Sequence, residues 1–242
     1  MAASRAGIGE GFDRTTVRTL FSSGQDCLLC LERGAPGLLC ESCEQTLPVI
    51  ESPCPQCGVA AAGGGFCGEC LANPPRFDAV FSAFAYGFPA DKLVQRFKFS
   101  GDLALGAWLG DAMARSAATR TRPDLLIPAP LSVQRLRSRG FNQALVLARR
   151  VARRLRLPVD GDAIAKGRDT PPQAGLSRAA RQGNLRGAFQ CRRRLDGLQV
   201  ALVDDVMTTG ATADALAAAL KASGAARVDI WVVARTPQPN VR

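Results

Sequence analysis

The sequence contains no histidine at all. That absence removes imidazole acid–base catalysis, His-dependent triads and every His metal ligand, so a metal site must be built from thiolates or carboxylates. Aromatic side chains that could stack on single-stranded bases are few, with one Tyr and two Trp, which weighs against a dedicated single-strand reader. No apolar run approaches the roughly 20 residues needed to span a bilayer. Met1 to Glu10 lacks the apolar core of a secretory leader, so a cytoplasmic location is the expectation. Acids are scarce in one stretch: residues 125–199 carry sixteen Lys and Arg against four acids, while residues 1–70 carry four Arg against eight acids. The net charge of +10 is therefore concentrated in the middle of the chain. A basic surface there would attract a polyanion, either a nucleotide-like metabolite or a nucleic acid backbone. Solvated Arg-rich helix faces account for part of it.

What is present is distinctive. At 242 residues and 47% hydrophobic, the chain has room for one mid-sized domain and a smaller module. Eight of its nine cysteines fall in pairs, Cys27/Cys30, Cys40/Cys43, Cys54/Cys57 and Cys67/Cys70, and a shift of 27 residues maps the first two pairs onto the last two. This is an internal duplication of C-x2-C-x9-C-x2-C. Each copy supplies the four thiolates of a closed, structural tetrahedral zinc site. The surrounding segment is poor in core residues, so metal binding would supply stability. Disulfides fit poorly with the absence of a leader; an iron–sulfur cluster takes the same four thiolates. Spacing alone leaves the pairing sequential or interleaved. Cys191 stands alone.

The second landmark is Val200 to Thr212, V-A-L-V-D-D-V-M-T-T-G-A-T. Val200 to Val203 suit a parallel strand buried on both faces. The strand is expected to end on Asp204 and Asp205, at the edge where open α/β sheets bind ligands. Ionised carboxylates are pure acceptors, suited to the vicinal hydroxyls of a ribose. The small-residue turn Thr208, Thr209, Gly210, Ala211 and Thr212 then opens an alanine-rich helix. Its unpaired amides and hydroxyls can hold a phosphate, and Gly210 permits a backbone that a β-carbon would penalise. An ordinary strand–turn–helix unit carrying two aspartates is the bland alternative.

Periodicity places a strand over Phe77 to Tyr86, a helix over Pro89 to Phe99 with Leu93, Val94 and Phe97 on one side, and a second helix over Asp102 to Ala118. Asp124 to Ile127 reads as a short buried strand, followed by a basic loop, Arg135 to Gly140. Phe141 to Arg156 reads as a helix buried along Leu145, Ala148, Val151 and Leu155, with its arginines mainly on the other side. Val159 to Ala165 is a candidate strand, Ser177 to Gln182 a short basic helix, and Val228 to Val233 a final strand. Val17, Leu20 and Phe21 belong to a candidate N-terminal helix. Alternating strands and helices imply a parallel α/β sheet.

The stretch from Val200 closely resembles the phosphoribosyl diphosphate (PRPP) motif of type I phosphoribosyltransferases. The resemblance assigns Asp204 and Asp205 to the ribose hydroxyls and Thr208 through Thr212 to the 5′-phosphate. Members acting on 6-oxopurines carry an aspartate base where this chain has Thr208, which argues against that activity. Together with the cysteine pairs, P-A-P-L-S, R-L-R-S-R-G-F-N-Q and Q-A-G-L-S-R-A-A-R-Q-G-N-L-R-G-A-F, the whole pattern looks like the ComF family, whose members are associated in some bacteria with competence and DNA uptake. The fold this implies is an α/β, type I phosphoribosyltransferase-like parallel sheet with helices on both faces, preceded by a Cys-rich zinc-ribbon module. The expected divisions are an N-terminal segment 1–26, a double zinc ribbon 27–73 and a phosphoribosyltransferase-like domain 77–242. The resemblance also implies a diphosphate loop with Arg135 and Arg139, and a flexible loop matched at Gln173, Arg181 and Asn184. It implies structural Zn²⁺ at two sites and Mg²⁺ with PRPP.

Three readings compete. The first is a phosphoribosyltransferase moving the phosphoribosyl group to an unidentified nitrogen acceptor. The second is a non-catalytic module that grips nucleic acid or a partner, with single-stranded DNA and a competence helicase as the implied partners. The third is a PRPP sensor without turnover.

Overall fold

The computed structural model describes residues 25–35, 37–167 and 187–237. The expected helices around Val17 and over Ser177 to Gln182, and the residues Gln173, Arg181 and Asn184, lie outside the described residues. The chain divides into two compact units, 1–46 and 47–242. The first cysteine quartet falls in the smaller unit and the second in the larger. No helix among the described residues is long and apolar enough to cross a membrane.

In the smaller unit, α1 (Glu41–Gln45) follows directly from Cys40. In the larger unit, α2 (Gly68–Ala72) follows Cys67 in the same way, so the sequence duplication is also a structural one. Then come β1 (Ala79–Ala85), α3 (Ala90–Ser100), α4 (Leu103–Ala117), β2 (Leu125–Pro128), α5 (Val133–Arg139) and α6 (Gln143–Leu155). The chain continues with β3 (Ile164–Lys166), β4 (Phe189–Cys191), β5 (Gln199–Met207), α7 (Ala211–Ala222) and β6 (Arg227–Arg235).

The main sheet has the order β1-β6-β5-β2 with every pair parallel. Its central strands β5 and β6 are buried almost throughout, as their unbroken apolar runs require. On one face Val200, Leu202, Val228, Ile230 and Val232 share a cluster with Leu216, Ala217 and Leu220 of α7. That cluster also takes in Cys54, Cys57, Val59 and Cys70, so the second cysteine module is part of the core. The intervening residues Ala201, Val203, Trp231 and Val233 are buried as well, and α4 and α6 pack against the sheet. Helices on both faces are thus found as expected.

Four local expectations need correcting. The basic segment Arg135 to Gly140 is largely helix α5, not loop: Ser132 Oγ accepts from Arg135 N at 3.3 Å at one end, and Gly140 adopts φ +77° at the other. Its ends, not an apolar stripe, define it. The buried side of α6 is Ala144, Leu147, Ala148 and Val151, while Leu145 and Leu155 are half-buried. This helix packs against α4 as well as β5, which turns its buried arc. Strand β5 does not stop at the acids, because the ladder to β6 continues through Val206↔Ala234 and Met207↔Arg235. The stretch from Val159 is not one strand; Val159 forms an isolated parallel bridge with Leu126, and Ile164–Lys166 pairs antiparallel with β4.

The α4–α6 contact is very close. A β-carbon at Gly110 would meet Arg150 Cβ at 2.7 Å. Beside it, Asp111 receives both guanidinium forks: Arg150 Nε and Nη2 at 2.6 Å, and Arg154 Nε and Nη2 at 2.7 Å. The Arg154 hydrogen bonds, outweighing burial and joined by Arg150, hold Asp111 well below the usual carboxylate range. A depressed folded pKa adds stability that is present above the unfolded value of about 4 and is lost as pH falls towards the folded one. Asp111→Asn should therefore cost about 1–3 kcal/mol at pH 7. Urea unfolding midpoints should show this penalty shrinking as the pH is lowered below about 4.

Candidate functional site

A cleft of about 230 Å³ opens at the carboxyl ends of β2 and β5, the ligand edge of a parallel sheet. It collects most of the residues expected from sequence. Asp204, Asp205, Thr208, Thr209, Gly210, Ala211 and Thr212 line it, and so do Arg135 and Arg139 from α5. The first group arrives at the end of β5 and the start of α7. The arginines arrive because the chain leaving β2 turns over the sheet edge into α5. Gln173, Arg181 and Asn184 are not among the described residues.

The two carboxylates have different surroundings. Asp205 is buried and receives Lys98 Nζ at 3.0 Å. Asp204 is half-buried, and its Oδ1 accepts from Asp205 N at 2.8 Å. Burial, and then the charge of Asp205, push the Asp204 carboxyl up to about 7; the Asp205 amide, Lys98 and Arg139 pull against that rise. With its pKa near 7, the Asp204 carboxyl is divided between its protonated and ionised forms at neutrality, and a nearby cation would favour the ionised one.

At the Thr208 to Thr212 turn, Gly210 has φ +82°, and a β-carbon there would meet Met207 Cε at 2.6 Å. The positive φ is what favours glycine here; the Met207 methyl, at the end of a flexible side chain, could move aside. Ala211 N reaches Thr209 Oγ1 at 3.4 Å. Thr208, Thr209 and Thr212 are exposed to the cleft side.

Three residues that sequence reasoning gave no role stand in or beside this site. Lys98, near the end of α3, lines the cleft as the ion-pair partner of Asp205. Gln143 lines it too: it is 2% exposed, its Oε1 accepts from Arg139 Nη1 at 3.3 Å, and its Nε2 has no hydrogen-bond partner among the described residues. Arg235, at the end of β6, is 3% exposed. It donates from Nε to Cys57 O at 2.9 Å, and from Nη1 to Met207 O at 3.1 Å, Thr236 O at 3.0 Å and Thr208 O. A charged residue closing the apolar run D-I-W-V-V-A-R was the available signal for it.

The cysteines form two sequential quartets, Cys27/Cys30/Cys40/Cys43 and Cys54/Cys57/Cys67/Cys70, with each set of Sγ atoms within 4.8 Å of one another. Interleaved pairing is excluded. The Cys30–Cys40 Sγ distance is 3.7 Å and the Cys57–Cys67 distance 3.5 Å. Zn–S bonds of about 2.3 Å in a tetrahedron set sulfurs about 3.8 Å apart, so the quartets fit one ion each. Backbone amides are arranged alike in both: Cys40 N donates to Cys27 Sγ at 3.4 Å, and Cys67 N to Cys54 Sγ at 3.3 Å. Burial opposes ionisation of Cys54, but the amides of Cys57, Cys67 and Gln56 outweigh it and bring the thiol down to about 7. Burial pushes Cys57 up to about 11. Four thiolates therefore need a cation among them, and structural zinc supplies it. The lone Cys191 donates to Arg193 O at 3.2 Å and takes no part in either quartet.

Comparison with known proteins agrees with this geometry. A phosphoribosyl transferase domain matches residues 142–242, and a double zinc ribbon domain matches residues 17–71. "DNA utilization protein YhgH" of Salmonella typhimurium is 35% identical over 82% of this chain and 90% of its own length. "Competence protein F" of Haemophilus influenzae is 31% identical over 81% and 90% respectively. "Competence protein ComFC" of Bacillus subtilis is 30% identical over 82% and 84%.

The charge balance around Asp204 can be measured directly. In carboxyl ¹³C NMR of the ligand-free protein, Asp204 should titrate with an apparent midpoint near pH 7. Asp205→Asn should move that midpoint down towards the ordinary value of about 4, because one like charge is removed.

Proposed function

The chain belongs to the ComF family of phosphoribosyltransferase-like proteins, and on that premise we propose that it binds Mg²⁺-PRPP, or a closely related ribose-phosphate, in the cleft at the end of β5. One observation carries this reading. A carboxylate pair, a phosphate-sized turn of small residues and two arginines line a single cleft at the carboxyl edge of a parallel sheet. Ionised Asp204 and Asp205 would accept from the ribose 2′- and 3′-hydroxyls. The turn Thr208 to Thr212 would take the 5′-phosphate at the start of α7. Arg135 and Arg139 would take the diphosphate, for which a guanidinium fork is well shaped.

Mg²⁺ suits this donor set, since it prefers hard oxygen ligands and tolerates few protein ones. The paired carboxylates would hold it with the ribose hydroxyls, and when bound it would offset charge on the diphosphate leaving group. With a nitrogen acceptor present, the C1–O bond to diphosphate breaks, diphosphate leaves with the electron pair, and a C1–N bond forms as the acceptor loses a proton. The chain's own contribution is to position the ribose and stabilise charge. Thr208 occupies the place where 6-oxopurine enzymes carry an aspartate, so that acceptor class is disfavoured. The relatives are named for DNA utilization and competence, and we infer the same setting for this chain.

Isothermal calorimetry of the zinc-loaded protein should show Mg²⁺-PRPP binding. Asp204→Asn with Asp205→Asn should weaken it at least a hundredfold, about 3 kcal/mol. No binding by the wild-type protein would remove this reading. DNA binding that survives the double substitution would favour a nucleic-acid-binding module instead.

A further inference from the structure

We propose that Arg235 links the second cysteine quartet to the phosphate turn, so that metal in that quartet sets the shape of the ligand site. The inference rests on the ribose-phosphate reading above for its ligand, but not for the linkage itself. A buried guanidinium has five donors to satisfy, and here its hydrogen bonds to the described residues go to main-chain carbonyls. One is Cys57 O, in the turn that presents two zinc ligands; two others are Met207 O, at the end of β5, and Thr208 O, at the start of the proposed phosphate turn. The side chain thus joins residues 178 and 27 positions away in sequence.

The consequence for the turn follows from peptide planarity. In a trans peptide the N–H points opposite to the C=O of the same unit. Because the carbonyls of Met207 and Thr208 are drawn towards Arg235, the N–H groups of Thr208 and Thr209 point away from it, and both residues line the cleft. Arg235 therefore aims donors at the place proposed for the 5′-phosphate without touching a ligand. It is a positioning residue.

The Cys57 end of the link is fixed only while the knuckle is. Cys54 N and Val59 O, and Gly58 N and Cys54 O, close the knuckle at 2.7 and 2.9 Å. Its four sulfurs lie too close to remain together as thiolates without a cation. A zinc–thiolate quartet carries net negative charge, which complements the buried guanidinium beside it. Loss of that ion frees Cys57 O, leaves Arg235 short of an acceptor and of charge compensation, and releases the carbonyls that shape the turn. By linkage the effect is reciprocal: a ligand that needs the shaped turn holds the metal more firmly.

The test is a double-substitution cycle on the full-length protein. Cys67→Ser removes one ligand of the second quartet, and metal analysis should show zinc falling from two ions per chain to one. Thr236 N donates to Met207 O at 2.9 Å, so its hydrogen exchange reports the turn with no ligand present. Exchange at Thr236 should rise about tenfold in Cys67→Ser and in Arg235→Met, with no further rise in the double variant, while Leu202 in the middle of β5 stays protected; tenfold corresponds to about 1.4 kcal/mol. Mg²⁺-PRPP affinity should fall by a similar factor in each, again without multiplying. If Arg235→Met does not fold, Arg235→Lys replaces it in the cycle, keeping the charge and losing the fork; the same local rise supports the link. Unchanged exchange in Cys67→Ser, effects that multiply in the double variant, or a rise that spreads to Leu202 would each overturn it. Loss of PRPP binding in the wild-type protein with the exchange pattern intact would remove the ribose-phosphate reading and leave the linkage standing.

Discussion

The ion pair between Lys98 and Asp205, at 3.0 Å, is the interaction on which the cleft depends. Two neighbouring carboxylates stand at the end of a buried strand, where water cannot fully solvate them, and a cation on α3 balances one of them. The other stays poised, its carboxyl raised to about 7 by burial and by its neighbour. The sign of that shift matters. A carboxyl whose folded pKa is raised is fully compatible with the fold below about pH 4 and detracts from stability as pH climbs through the folded value. Near neutrality the two adjacent carboxylates are an unfavourable charge arrangement, balanced in part by Lys98. Stability is given up at the cleft we propose as the ligand site, a familiar property of functional sites.

The same arrangement recurs with the opposite sign at Arg235. Burial pulls its guanidinium below the ordinary value, while the cysteines of the second quartet, Cys57 first, counter that pull. Its acceptors are carbonyls, which share the charge but do not neutralise it. The larger unit is thus built around two partly compensated charges, one at the cleft and one behind it. The second quartet belongs to the same hydrophobic cluster as β5 and α7. In this unit the metal site is an integral part of the domain, which explains how a structural ion can bear on a ligand site.

Much of this was legible in the sequence. A parallel strand buried on both faces must be continuously apolar, so β5 and β6 stood out, and the acids that end the apolar run of β5 marked the ligand edge. The quartets were legible because ligand number and spacing are covalent facts, although only the fold could show that they pair sequentially. Helix α5 was missed because R-L-R-S-R has no apolar period; Ser132 and Gly140 define it from outside. Lys98 was placed correctly on a helix, but the direction it faces depends on how α3 packs, which periodicity does not encode. Arg235 was missed because its partners are main-chain carbonyls, most of them distant in sequence, which leave no side-chain signature. The basic excess was partly misleading: Arg150 and Arg154 are committed to Asp111, Arg193 to Asp160 and Arg194 to Asp196. Among the described arginines of that segment, Arg135 and Arg139 reach the cleft.

The most direct measurement is a crystal structure of the zinc-loaded protein with Mg²⁺-PRPP. The 5′-phosphate is expected within about 3 Å of the main-chain amides of Thr208 to Thr212, the ribose hydroxyls on Asp204 and Asp205, and the diphosphate towards Arg135 and Arg139. A ligand bound away from the end of β5, or one whose ribose leaves both carboxylates untouched, would contradict this expectation.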